Sequence, residues 1–160
     1  MNEWLTWGVI GMEGVIYKRL TEPYRPGARG WLKYKPRETT EAIVGAITGT
    51  LATPRTLLLA RYDTSGSLQY FGRTTTLTAA ASTSVAPLLT AATGEHPWTG
   101  WTFSAGWGSR ETLDVILVLP DVVGEVDVAR DSAGRWRHPV RWHRPRTDLS
   151  PTDVPHIAPR

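Results

Sequence analysis

Three groups of side chains in this 160-residue sequence have the types and spacing to handle phosphate. The first is Lys33 and Lys35, two residues apart in the alternating run Trp31-Leu32-Lys33-Tyr34-Lys35, which predicts a β-strand. Side chains two apart on a strand share a face. Two ammonium groups aimed at one place repel each other unless an anion lies between them. A phosphate held from both sides is one reading, and a solvated strand face is the other. The second group is Glu13 and Lys18 in Glu13-Gly14-Val15-Ile16-Tyr17-Lys18. On a straight strand they face opposite ways, and a bulge at Gly14 would change that. The carboxylate could then hold Mg²⁺ while the lysine meets a phosphate; the alternative is a surface pair. The third group is Arg144, Arg146 and Asp148, again alternating. Planar guanidinium forks suit phosphate and could stabilise charge on a leaving pyrophosphate. The alternative is a basic tail that touches nucleic-acid backbone without chemistry.

The charge pattern agrees with a polyanionic partner. Between Lys18 and Arg37 seven basic residues face one acid, Glu22, and between Arg130 and Arg146 six arginines face Asp131. The net charge of the whole chain is only +3, so an acidic middle separates two basic segments. Tyr17, Tyr24, Trp31, Tyr34, Trp136 and Trp142 lie in or beside those segments. Basic runs interleaved with aromatics fit phosphate and bases, although two solvated basic faces would have the same composition.

Other chemistries are excluded. There is no cysteine, which rules out disulfides, thiolate metal sites and thiol nucleophiles and fits a reducing cytoplasm. His138, His143 and His156 lack metal-ligand spacing, and no Walker or Gly-x-Ser-x-Gly motif occurs. The longest charge-free run, Thr74 to Gly94, is rich in Ser and Thr and broken by Pro87, so it does not predict a membrane span.

The elements that must position these groups are mostly strands. Short strands are predicted around 13–18 and 31–35, joined by a Pro/Gly loop over 21–30. Further strands are predicted over 42–50, 56–62, 68–71, 113–119, 122–129 and 136–144. Asp63-Thr64-Ser65-Gly66 is a hairpin turn. Leu77, Ala81, Val85 and Leu89 recur every four residues and predict one amphipathic helix, with Pro87 against it. Residues 94–110 are a Gly/Trp-rich loop, and the segment after Leu149, with three prolines, is expected to be loose. The expected fold is mainly β: a Greek-key barrel of the OB type with one helix after its third strand, an SH3-like barrel being the nearest alternative.

Glu-Gly-Val-Ile-Tyr-Lys at 13–18, a Pro-Gly loop, and Gly-Trp-Leu-Lys-Tyr-Lys at 30–35 resemble the fourth and fifth nucleotidyltransferase motifs of ATP-dependent DNA ligases. Glu-Val at 125–126, Arg-His-Pro at 137–139 and Arg-Pro-Arg-Thr-Asp at 144–148 resemble the last OB strands and the sixth motif. Arg-Glu-Thr-Thr-Glu-Ala at 37–42 resembles the actinobacterial type. The resemblance implies a remnant of the adenylation domain over 1–38, an OB-fold domain over 39–149 and a flexible tail over 150–160. It implies ATP and Mg²⁺ as cofactors and nicked double-stranded DNA as partner. Glu13 would bind the metal, and Lys18, Lys33 and Lys35 would contact the phosphates of AMP and substrate. Arg144, Arg146 and Asp148 would orient pyrophosphate once the OB domain closes on the nucleotide. The family's nucleophile lies in Lys-x-Asp-Gly, and none of the three lysines here is followed by x-Asp-Gly. The expectation is therefore a C-terminal ligase portion, inactive alone, with a separate piece supplying the nucleophile. The alternative is a non-catalytic DNA-binding OB module.

Overall fold

The computed structural model describes residues 15–23, 25–27, 30–34, 39–105, 111–127 and 138–157. The chain divides into two units, Met1–Glu38 and Thr39–Arg160. In the first, β1 (Val15–Tyr17) pairs antiparallel with β2 (Leu32–Tyr34), with Ile16 opposite Lys33 and Tyr17 opposite Leu32. The β-branched and aromatic residues that predicted these strands form them.

The second unit contains β3 (Thr39–Gly49), β4 (Pro54–Tyr62), β5 (Leu68–Arg73), α1 (Ala79–Val85), β6 (Ile116–Leu117), β7 (Val123–Asp127) and β8 (Trp142–Pro145). Its strands run in the order β5-β4-β3-β7-β8, with β6 also on β3. The ends of that path meet: Thr74 forms a parallel bridge with Val140, whose N–H donates to Arg73 O at 2.9 Å. This closes the sheet into an OB-type barrel, with α1 after its third strand.

β3 and β4 are apolar on both faces because both are covered. Ala42, Val44, Ile47, Leu57 and Leu59 pack with Val85, Leu89, Val126 and Trp142 in one cluster. Ile43, Ala46, Leu58 and Ala60 pack with Trp98, Phe103, Val123 and Val154 in a second. The register of β3 shifts between Val44 and Ala46, at Gly45. A Cβ on Gly45 would lie 2.5 Å from the Trp98 ring, so the bulge residue has to be glycine. Trp98 itself donates from Nε1 to Leu68 O at 2.8 Å, which anchors the Trp-rich loop.

The helix forms where the four-residue repeat predicts one but is shorter. Thr78 caps it by accepting from Ala81 N–H at 3.2 Å. Pro87 cannot donate to an α-helical turn, so the chain tightens into a 3₁₀ turn over Ala86–Leu88. β6 and β8 are also shorter than expected, and residues 128–137 lie outside the described residues.

Beyond β8 the chain forms a capped turn and then bridges back to the β4–β5 hairpin over residues 150–157. Ser150 N–H donates to Asp153 Oδ2 at 2.8 Å, capping a 3₁₀ turn over Pro151–Asp153. Val154 is buried in the second cluster, and Ile157 N–H donates to Tyr62 O at 3.0 Å. Pro151 opens that turn, and the chain then returns to the barrel.

Candidate functional site

The residues expected to contact phosphate fall into two sets, one in each unit. In the first unit the β1–β2 register places Lys18 opposite Trp31. Ile16, Lys18, Trp31 and Lys33 then share one face of the hairpin. Lys18 Nζ lies 3.9 Å from the Trp31 ring centroid, a cation–π contact. The opposite face carries Tyr17, Leu32 and Tyr34, all exposed. Glu13 and Lys35 lie outside the described residues. Among the described residues no group of three or more His, Asp or Glu could hold a metal ion.

In the second unit the outer surface of β3, β7 and β8 builds an ion-pair row. Glu41 on β3 stands opposite Glu125 on β7, which stands opposite Arg144 on β8. Like charges directly across a strand pair destabilise it unless they are compensated. Arg144 Nε donates to Glu125 Oε2 at 2.8 Å, and Arg146 Nη1 donates to Glu41 Oε1 at 3.0 Å. Arg146 also grips Asp148, from Nε to Oδ1 at 2.8 Å and from Nη2 to Oδ2 at 2.7 Å, the fork geometry of a bidentate pair. A register shift between Glu125 and Val126 leaves His143 as an extra residue on β8, and its Nε2 lies 2.5 Å from Asp127 Oδ1.

These pairs shift the titrations in the expected directions. The hydrogen bonds from Arg146 hold the Asp148 carboxyl at about 2. The Arg144 side chain, followed by a hydrogen bond from Thr39, lowers that of Glu125. Asp148 raises the Arg146 guanidinium, with Glu41 and Glu125 adding to it. Arg146 is thus parked between two carboxylates and only 19% exposed, whereas Arg144 is 66% exposed and engaged through Nε. Arg144 can therefore meet an incoming phosphate as it stands. Arg146 has to exchange a carboxylate for one.

Arg146 and Asp148 pair with each other, Arg146 also with Glu41, and Arg144 separately with Glu125. The motifs in the sequence do not point to Glu41 or Arg61. Arg61 on β4 donates to Glu41 O at 2.8 Å, and its guanidinium lies over the Phe71 ring. The legible signal was a lone acid, Glu41, entering an otherwise apolar strand.

The strand order, the closing bridge and the helix position define an OB-fold-like β domain preceded by a separate hairpin. No protein-family model matches the chain, and no curated protein matches it significantly. Solved structures do. The ligase domain of LigD from M. tuberculosis matches with 27% identity and a TM-score of 0.58, over 96% of this chain and 50% of that one. A mycobacterial DNA ligase D complexed with ATP and MES matches with 27% identity and a TM-score of 0.55, again over 96% and 50%. The chain is therefore similar to a portion of an actinobacterial-type ATP-dependent DNA ligase and spans about half the length of those neighbours.

Proposed function

We propose that this chain supplies the OB-fold part of an ATP-dependent DNA ligase together with the last strands of its nucleotidyltransferase domain. The observation that carries the reading is the likeness to mycobacterial ligase domains at 27% identity over 96% of the chain. One of those neighbours is complexed with ATP, which supports ATP as the AMP donor. In this reaction a lysine nitrogen attacks the α-phosphorus of ATP and pyrophosphate leaves. AMP then passes to the 5′-phosphate of nicked duplex DNA, and the 3′-hydroxyl displaces it. Lys18, Lys33 and Lys35 contact the AMP and substrate phosphates. Arg144, Arg146 and Asp148 orient pyrophosphate, and Glu13 would hold Mg²⁺ if the metal binds there.

No Lys-x-Asp-Gly occurs in this sequence, so the nucleophile belongs to a part of the ligase that the sequence does not contain. The hairpin supports this. Leu32 is 74% exposed and Ile16 and Tyr17 are each 54% exposed, on a sheet that has two strands among the described residues. Added strands of a nucleotidyltransferase sheet would cover these side chains.

The test uses ATP labelled at the α-phosphate. This chain alone should take up no label. Mixed with a ligase piece carrying Lys-x-Asp-Gly, it should restore label on that piece and sealing of a nicked duplex. Covalent AMP on this chain by itself would overturn the assignment. In the restored system Lys33→Ala should cut sealing by about 100-fold, the usual scale for losing one transition-state charge contact. A loss confined to DNA binding would favour the non-catalytic module.

A further inference from the structure

Two carboxylates hold Arg146, and they hold it differently. Asp148, two residues along the chain, accepts from Nε at 2.8 Å and from Nη2 at 2.7 Å. Glu41, 105 residues away on β3, accepts from Nη1 at 3.0 Å. The Asp148 contact travels with Arg146, because both lie on the same short segment. The Glu41 contact ties that segment to the sheet. It uses a single donor instead of a fork, so it is the weaker of the two. Glu41 is therefore the partner that a phosphate oxygen displaces more readily.

Glu41 is itself fixed from behind. Arg61 on β4 donates to the Glu41 carbonyl from Nε at 3.2 Å and from Nη2 at 2.8 Å, and its guanidinium lies 4.8 Å from the Phe71 ring centroid. Burial works against the Arg61 cation, and the charge of Glu41 favours it. Parting a partly buried ion pair normally leaves an uncompensated charge on each side. Here Glu41 keeps the charge of Arg61, and Arg146 keeps Asp148. The pair also has a reason to re-form. Glu41 stands opposite Glu125 across β3 and β7, where like charges repel, and Arg146 lessens that repulsion when it returns.

We propose that Glu41 is a resting-state latch on Arg146. Its carboxylate occupies Nη1 until a polyphosphate, such as a nucleoside triphosphate carries, takes that donor. Asp148 keeps the guanidinium oriented through the exchange. Glu41, an anion, makes no phosphate contact and acts only through Arg146. The inference rests on the ligase reading for what brings polyphosphate to Arg146, but the exchange can be measured on this chain alone.

The experiment titrates the full chain with inorganic tripolyphosphate by calorimetry at low salt. Glu41→Gln should bind it about fivefold more tightly than the parent, the upper end for an ion pair of this exposure. Glu41→Asp is one methylene shorter and cannot span the contact to Nη1. It should also bind more tightly, although the net charge is unchanged. Both gains should vanish in an Arg146→Ala background, which separates a latch from a general charge effect. If Glu41→Asp binds like the parent, or the gains survive Arg146→Ala, there is no latch. In the ligase restored with a Lys-x-Asp-Gly piece, Glu41→Gln should lower the ATP KM for adenylate formation by a similar factor and change the maximal rate less. A fall in maximal rate with KM unchanged would mean that Glu41 supports the fold and does not restrain Arg146. If the parent chain restores no adenylate at all, the ligase reading fails, and the tripolyphosphate comparison still decides the latch.

Discussion

At the scale of single residues, the unusual group is Arg146, a guanidinium whose fork is already filled. Asp148 takes two of its donors and Glu41 a third. This explains why the Asp148 carboxyl is held at about 2, below its model-peptide 3.8. The folded pKa is the lower one, so the pair's contribution is complete above 3.8 and disappears as pH falls through about 2. Carboxyl-detected NMR should find the Asp148 midpoint near 2 in the parent chain and close to 3.8 in Arg146→Ala. An unchanged midpoint would mean the pair is absent in solution. His96 presents the opposite case, a buried base kept neutral. Its Nδ1 accepts from Trp98 N–H at 3.0 Å, which leaves the proton on Nε2. Burial lowers its pKa below 6.5, and the backbone of Val118 favours the proton only weakly. A protonated ring would turn a donor on Nδ1 against the Trp98 N–H. Stability should therefore fall as pH drops below 6.5, where the unfolded chain takes the proton first. His96→Asn, whose carbonyl can still accept from Trp98, should flatten that dependence in urea titrations between pH 7 and 5. A parent chain equally stable at both values would contradict it.

At the scale of elements, two glycines on neighbouring strands of the sheet are each roofed by a tryptophan. Gly45 on β3 lies under Trp98, and a Cβ on Gly124 of β7 would come within 1.9 Å of the Trp142 ring. Neither ring can retreat easily, since Trp98 is anchored through its indole N–H and Trp142 packs in the barrel core. Gly124→Ala should cost about 3 kcal/mol, the upper end of overpacking. Adding Trp142→Leu should recover part of that loss in the double variant, because the clash partner is gone. A tolerated Gly124→Ala, measured by chemical unfolding, would mean the ring sits elsewhere. These pairs mark the limit of what the sequence discloses. Strand positions follow from β-branched runs and turn residues, which act locally, and the hairpin at Asp63–Gly66 needs only its own four residues and the positive φ of Gly66. The repeat Leu77, Ala81, Val85, Leu89 locates the helix, and Pro87 shortens it. Bulges are different, because a register shift depends on the partner strand. So are Trp98 and Trp142, which cover glycines far from them in sequence. The candidate site divides the same way. The alternation of Arg144, Arg146 and Asp148 is local and legible, whereas Glu41, 105 residues before Arg146, becomes its partner only through the barrel order.

At the scale of the whole molecule, the charge layout of the sequence acquires a structural cause. The acidic middle contributes Glu125 on β7 and Glu41 on β3, and these pair with Arg144 and Arg146 of the last arginine-rich segment. A basic run can thus be part of a balanced ion-pair row. The chain end obeys a similar long-range logic. The second apolar cluster lies on the outside of β3 and β4, and exposed apolar strands invite aggregation unless something covers them. The Trp98 loop covers one part, and Val154, 2% exposed, is buried in the same cluster. Just beyond it, Ile157 bridges to Asp63 at the tip of the β4–β5 hairpin. Asp63 is in turn fixed by four donors: Ser65 N–H, Ser65 Oγ, Ser67 N–H and Gln69 Nε2. The tail therefore connects the end of the chain to a rigid turn from its middle. Full burial of a valine contributes roughly 1.5–3 kcal/mol and a backbone hydrogen bond about 1 kcal/mol. Removing residues 150–160 should then lower the unfolding free energy by about 3 kcal/mol, with Val154→Ala accounting for most of it. The shortened chain should also bind a hydrophobic dye that the parent does not, because Leu58 and Ala60 lose their cover. If truncation leaves both the unfolding midpoint and dye binding unchanged, the tail is not part of the folded barrel.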